Sequence, residues 1–67
     1  MSIAKVTEVI ASSTVGIEDA VRQGIARASK TLDQVQSAWV SDIKCEVNGD
    51  DVVEWRVRLK ITFVLTD

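Results

Sequence analysis

The chain has 67 residues, with eight basic and ten acidic side chains, no histidine and a formal net charge of −2. This length allows one domain, residues 1–67, and so short a domain buries only about 60% of the surface that its unfolded chain exposes. The acidic balance disfavours nucleic acid as a partner, because nucleic-acid-binding domains carry clustered basic patches. No apolar run approaches the roughly 18 residues of a membrane-spanning helix, so no membrane partner is predicted.

The cysteine content indicates how so small a domain is stabilised. Cys45 is the only cysteine, so the chain cannot form an internal disulfide, and without histidine it lacks the ligands of a structural zinc site. Small domains usually gain stability from disulfides, metals or oligomerisation, and only oligomerisation is left. A lone cysteine without a signal-peptide pattern predicts a reducing, cytoplasmic location.

A strand followed by a helix is predicted in the first half of the chain. Residues Ile3–Ala11 form the strand, because β-branched residues dominate there. Ser12–Thr14 interrupt the pattern, and Ser13 is the predicted helix N-cap, because its hydroxyl can accept an unpaired backbone N–H. Apolar and small residues then recur at the three- and four-residue intervals of a helix, at Ile17, Ala20, Val21, Gly24, Ile25, Ala28 and Leu32. The small residues of this stripe would let a sheet approach closely.

Two further strands joined by a hairpin are predicted in the second half. The second strand is Ser37–Asn48, with a β-bulge near Ser41–Asp42 where the apolar alternation changes phase. Asn48-Gly49 indicates a tight turn, because both residues tolerate positive φ. The third strand, Val53–Leu65, is apolar at every odd position. Its odd face is therefore expected to pack on the helix, and its even face to point outward.

The predicted fold class is α+β, with βαββ element order and the strands arranged 1-3-2 around the longest and most apolar strand. Cys45 is expected to be a buried thiol, and Trp55 a core side chain. Trp39 is predicted to point outward, where it would pack at an interface or contact a ligand. Arg56 and Arg58 also point outward, either as solvated ion pairs or as groups that recognise an anion or carbonyl.

No combination of residues in the sequence predicts an enzyme. There is no histidine to act as a general base, and Ser12 and Ser13 have no activating partner. The chain contains no phosphate-binding glycine loop and no dinucleotide fingerprint. Asp50 and Asp51 are interpreted as solvated turn residues rather than as a metal site.

Several segments resemble the dodecin family: KVTEVIASS in the first strand, ARASKTL at the end of the helix and EWRVRLKITFVL in the third strand. The resemblance covers essentially the whole chain without a gap. It implies a sheet that wraps the helix and twelve copies that form a hollow sphere. It also implies storage or quenching of flavins such as FMN or riboflavin, bound in stacked pairs between subunits.

The resemblance also assigns candidate ligand-binding positions. It places the family's flavin-stacking tryptophan at Ser37 and its flavin-contacting glutamine at Arg56, and the family's Arg-Gly pair, which can meet a ligand phosphate, becomes Lys44-Cys45. Because serine offers no π surface, FMN or riboflavin binding is expected to be weak or absent. Trp39 lies two residues along the same strand face, roughly 7 Å from Ser37, and either relocates the ring or fills the old pocket.

The predicted function is a homododecameric shell that binds or stores a small molecule at an altered flavin site. The candidate ligand-binding residues are Ser37, Trp39, Lys44 and Arg56. A subgroup of dodecin-like proteins lacks the tryptophan, carries arginine at the Arg56 position and is associated with calcium, and this chain resembles that subgroup more closely. The alternative is therefore a calcium-binding or purely structural protein on the same scaffold, for which no metal ligands can be named.

Overall fold

The computed structural model of the chain describes residues 2–65. It contains four elements: β1 (Ala4–Ser13), α1 (Ile17–Ala28), β2 (Val35–Asn48) and β3 (Asp51–Val64). The strands form one sheet in the order β1-β3-β2, and both pairings are antiparallel. The predicted βαββ fold and strand order are therefore confirmed. Met1, Thr66 and Asp67, which belong to the predicted domain, lie outside the described residues.

The core lies between α1 and the central strand β3. Val57, Leu59 and Ile61, which occupy odd positions of β3, are fully buried. Ala20 and Ala28 of α1 complete the buried cluster. Burial of a side chain such as leucine or valine stabilises a fold by about 1.5–3 kcal/mol. The strict alternation of β3 thus creates one face that holds the helix and one that does not.

The helix approaches the sheet closely because Gly24 has no side chain. A methyl group at this position would lie 2.7 Å from Leu59 Cδ1 and 3.1 Å from Ala11 Cβ. Both distances are well below the 3.5–4.0 Å at which carbon atoms attract each other. The small residues of the helical stripe therefore serve the purpose that the sequence predicts.

Three extra residues adjust the pairing of β2 with β3: Gln36 and Ser41 on β2, and Val53 on β3. The pairing jumps between Val40 and Asp42, so Ser41 is the extra residue of the predicted bulge. A second shift follows between Glu46 and Val47, where the extra residue is Val53 of β3. Since Ser41 and Val53 lie on opposite strands, their two shifts offset each other in register. The shift at Gln36 affects only the start of β2, where Val35 pairs with Phe63.

The β2–β3 hairpin extends far beyond the helix. The described chain is 52 Å long, whereas a helix of the 12 residues of α1 spans only about 18 Å. Gly49 turns the hairpin with a φ of 66°, as predicted. Near this turn the side of the sheet that faces α1 is uncovered, and Ile43 and Val47 are 51% and 61% exposed.

Two side chains that the sequence places in the core do not lie there. Cys45 is exposed, and Trp55, its partner across the hairpin, is half-buried and outside the buried cluster. Both residues point to the helix side of the sheet, as the alternation predicts. The core assignment was wrong because the helix ends before it reaches this part of the hairpin.

The ends of the first strand and of the helix also differ from the prediction. β1 continues through Ser13, and the N-cap of α1 is Gly16. Ser13 instead organises the connecting turn: its Oγ accepts two backbone N–H groups there and donates to Asp19 Oδ2 at 2.6 Å. The helix ends at Ala28, and Leu32 packs on the core from the following turn, with its N–H donating to the Ala28 carbonyl at 2.9 Å.

Gly24→Ala is expected to lower the free energy of unfolding, because the added methyl group must displace Leu59. Overpacking of a tight core costs about 1–3 kcal/mol, which outweighs a gain of about 1 kcal/mol in helix propensity. Urea unfolding at matched protein concentration, followed by far-UV circular dichroism, measures the difference.

Leu59→Val supplies the control for this steric explanation, since it removes the atom that the new methyl group would meet. Gly24→Ala should therefore cost less in the Leu59→Val background than in the wild type. Equal costs in the two backgrounds would contradict the explanation.

Candidate functional site

All four candidate ligand-binding residues lie on the face of the sheet opposite α1, called the outer face below. Directly paired residues of an antiparallel sheet point to the same side, and the even-numbered residues of β3 point away from the helix. Three cross-strand pairs place the candidates on this face: Ser37–Thr62, Trp39–Lys60 and Lys44–Arg56. The predicted outward orientation of Trp39 and Arg56 is therefore confirmed.

The four residues form two separate groups on the outer face. Ser37 and Trp39 lie near the start of β2, whereas Lys44 and Arg56 lie toward the hairpin turn. Thr62, the partner of Ser37, is six residues from Arg56 along β3, which corresponds to about 20 Å. A single chain thus does not bring all four candidates around one point.

Arg56 links all three strands of the sheet. Its guanidinium donates to Ser12 Oγ on β1 at 3.3 Å, to Glu46 Oε1 on β2 at 3.4 Å and to Glu54 Oε1 on β3 at 2.8 Å. Glu46 and Glu54 are direct cross-strand partners, and like charges in that position repel. Arg56 separates the two carboxylates with an opposite charge and acts in one chain as a cross-link of the sheet.

The neighbouring basic residues of the outer face are also paired with carboxylates. Lys44 Nζ lies 3.7 Å from Glu46 Oε1, and Arg58 Nε lies 3.1 Å from Glu8 Oε1. A small concavity of about 150 Å³ lies between them. Both arginines are therefore found in ion pairs at a partly exposed surface, the first of the two predicted roles.

Trp39 presents an exposed aromatic ring at the other end of this face. The side chain is 63% exposed, and Lys60 Nζ lies 4.9 Å from the ring centroid. This distance is within the roughly 6 Å over which a cation is attracted to an aromatic ring. The pair was not foreseen from the sequence, although the even position of Lys60 already predicts that it points outward.

A second concave region was also missed. A groove of about 540 Å³ runs between the free edge of β1 and the helix, where Gly24 and Ala28 leave room beside the strand. The stripe of small residues on the helix could have predicted this groove, because small side chains leave a gap wherever the sheet does not pack against them.

The described part of the chain holds no metal-ion cluster of the usual kind. Among residues 2–65, no three cysteine, aspartate or glutamate side chains come together to hold a metal ion. Within the same range, no helix has the length and apolar character to cross a membrane.

Comparison with known proteins connects this architecture to a family. The dodecin family profile matches residues 3–66. The chain belongs to the dodecin family. No match was found among the curated proteins.

Solved dodecin structures are similar to the chain over nearly its whole length. Dodecin from Streptomyces coelicolor is 33% identical, with 98% of this chain and 94% of that chain covered and a TM-score of 0.92. Dodecin from Streptomyces davaonensis is 30% identical, with 98% and 97% covered and a TM-score of 0.92. A tryptophan-to-phenylalanine variant of the Thermus thermophilus dodecin is 30% identical, with both chains fully covered and a TM-score of 0.94. The sheet and helix arrangement is thus that of the dodecins.

Arg56→Met is expected to lower the free energy of unfolding by about 0.5–1.5 kcal/mol, because it removes a three-strand cross-link and leaves Glu46 facing Glu54. Urea unfolding of this dodecin-family chain at low salt measures the loss. In high salt the loss should shrink, because salt screens the repulsion between the two carboxylates.

Arg22→Met is the matched control for Arg56→Met. Arg22 forms an exposed pair with Glu18 on the helix at 2.6 Å, and such pairs contribute only about 0.3–0.5 kcal/mol. If both variants lost the same stability, Arg56 would be an ordinary surface charge rather than a cross-link.

Proposed function

We propose that the chain forms a closed homododecamer that binds or stores a small molecule, at a flavin site altered from that of its family. Dodecins are flavin-binding oligomers rather than enzymes, and family membership supports this general function. The altered flavin site is argued from the identity of two outer-face residues. Ser37 and Arg56 occupy the positions to which the resemblance assigns the flavin-stacking tryptophan and the flavin-contacting glutamine.

Exposed apolar surface supports assembly of the chain with further copies. Val6 and Ile10 are more than half exposed on the outer face, and Ile43 and Val47 are exposed on the other. β1 and β2 also each have one edge that is unpaired within the described chain. Apolar patches and open strand edges are the surfaces through which protein chains associate.

The mass of the purified protein is expected to be about twelve times that of the 7.3 kDa chain. A domain with so small a core and so much exposed apolar surface needs partner subunits. The number twelve comes from the resemblance to the dodecin family. Light scattering coupled to size-exclusion chromatography at micromolar concentration provides the measurement. A monomer or dimer would rule the shell out.

Two changes support weakened flavin binding. Ser37 has no ring to stack on an isoalloxazine, and stacking on an aromatic side chain is worth about 1–3 kcal/mol per ring by analogy with nucleic-acid bases. Arg56 cannot offer the paired donor and acceptor of a glutamine amide, because its guanidinium only donates. These residues support assignment to the dodecin-like subgroup that lacks the stacking tryptophan.

FMN is expected to bind the wild-type protein weakly or not at all, and the double variant Ser37→Trp with Arg56→Gln is expected to bind it more tightly. The gain should be about fivefold or more, because the tryptophan restores the stacking surface. Quenching of FMN fluorescence on titration with protein measures both affinities.

Ser37→Leu with Arg56→Gln is the matched control, since leucine adds apolar bulk without a ring to stack. Tight FMN quenching by the wild type would overturn the altered site. An equal gain in the leucine variant would show that stacking is not the missing interaction.

A calcium-binding or purely structural shell is the alternative function. A calcium site would need oxygen donors beyond those that residues 2–65 of one chain bring together, such as carboxylates repeated around a symmetry axis. Calorimetric titration with calcium distinguishes this alternative from the small-molecule shell. The exposed thiol of Cys45 supports a reducing compartment, and hence the cytoplasm, for either function.

A further inference from the structure

We propose that the start of β2 carries a binding platform for a planar aromatic anion. The platform consists of Trp39 and Lys60 with the hydroxyl-bearing pair Ser37 and Thr62 beside them. The inference rests on the proposed function, because it names the class of molecule that the shell would bind. It shares Ser37 and Trp39 with the candidate residues of the altered flavin site, but it places the stacking surface at Trp39, about 7 Å along the strand from Ser37, and does not involve Lys44 or Arg56.

The indole of Trp39 supplies a stacking surface. The side chain is 63% exposed, although tryptophan is usually well covered in folded proteins. The Lys60 ammonium lies 4.9 Å from the ring centroid and covers only one of the two ring faces. The second face is available to an aromatic ring, which prefers offset stacking on such a surface.

Lys60 supplies a positive charge that the surrounding sheet does not neutralise. The other three basic residues of the outer face, Lys44, Arg56 and Arg58, each lie within 4.0 Å of a carboxylate oxygen. Lys60 has no such partner among residues 2–65, because Glu8, its cross-strand partner on β1, is paired with Arg58. A ligand with negative charge on or near its ring would therefore gain an attraction here that a neutral ring lacks.

The pair Ser37–Thr62 adds polar groups next to the ring. These residues face each other across β2 and β3 on the same side of the sheet as Trp39 and Lys60. Residues two apart on a strand are separated by about 7 Å, which is close to the width of a bicyclic ring. Both hydroxyls can donate or accept a hydrogen bond, so they suit a sulfonate, carboxylate or phosphate at the edge of a stacked ring.

Naphthalene-2-sulfonate and its neutral analogue naphthalene-2-sulfonamide test the platform on the full-length protein by equilibrium dialysis. The sulfonate is expected to bind more tightly than the sulfonamide. Trp39→Ala should weaken both by about fivefold or more. Lys60→Gln should weaken only the sulfonate, by about two- to fivefold, and Lys60→Arg should restore it.

Two variants are controls. Arg22→Gln removes a helix charge that already has a carboxylate partner, Glu18, and Trp55→Phe alters the other tryptophan; both should leave the affinity for the sulfonate unchanged. Circular dichroism and light scattering on every variant confirm that fold and assembly are retained.

Three results would overturn the platform: no binding of the sulfonate to the assembled protein, binding that Trp39→Ala leaves unchanged, or equal loss of both probes in Lys60→Gln. In the Trp55→Phe variant, shielding of Trp39 fluorescence from iodide would also overturn it, because the ring would then be packed between subunits. Light scattering on the same samples distinguishes failure of the platform from failure of the proposed shell. A dodecamer that does not bind the sulfonate would rule out the platform but not the shell.

Discussion

The contact between Gly24 and Leu59 determines how the rest of the molecule is arranged. Because the helix has no side chain at this point, β3 packs against the helix backbone, and its odd-numbered side chains are buried. The strand must then direct its even-numbered side chains to the opposite face. The charged side chains at even positions of β3, including Arg56 and Lys60, owe their outward position to this packing.

The outer face has two chemically different ends, and electrostatics accounts for the difference. Toward the hairpin, Glu46 and Glu54 face each other, and the guanidinium of Arg56 lies between them. At the other end Lys60 has the ring of Trp39 for a neighbour, and no carboxylate of residues 2–65 pairs with it. At the hairpin end the charged side chains pair with one another and hold the strands together. At the start of β2, by contrast, the ammonium of Lys60 and the ring of Trp39 remain accessible.

The sequence predicts the fold well because the fold depends on periodicity. The alternation of β3 identifies the central strand, and the change of phase in β2 locates the bulge at Ser41. Periodicity does not show, however, how much of the sheet the helix covers. Alternation assigns Trp55 and Cys45 to the helix side of the sheet but does not show that α1 ends short of them. Hydroxyl chemistry likewise suggested Ser13 as a cap without showing that the helix begins only after Gly16.

The cross-strand pairs of the candidate site depend on register, which a single predicted bulge does not determine. With only Ser41 as an extra residue, counting back from the hairpin turn would pair Lys44 with Trp55 and turn it toward the helix side. The extra residue Val53 on β3 shifts the pairing by one residue, so that Lys44 pairs with Arg56 and points to the outer face. Beyond Ser41 the two shifts offset each other, and Trp39 meets Lys60 as it would in a hairpin without bulges.

The core and the candidate site lie on opposite faces of the sheet, so the side chains of the candidate site can vary without disturbing the core. Ser37 and Trp39 lie on the outer face and contribute nothing to the buried cluster. Substitutions there leave the helix-to-sheet packing intact, which is consistent with TM-scores of 0.92–0.94 to dodecins of 30–33% identity. The fold therefore identifies the family, whereas the ligand must be argued from the outer-face side chains themselves.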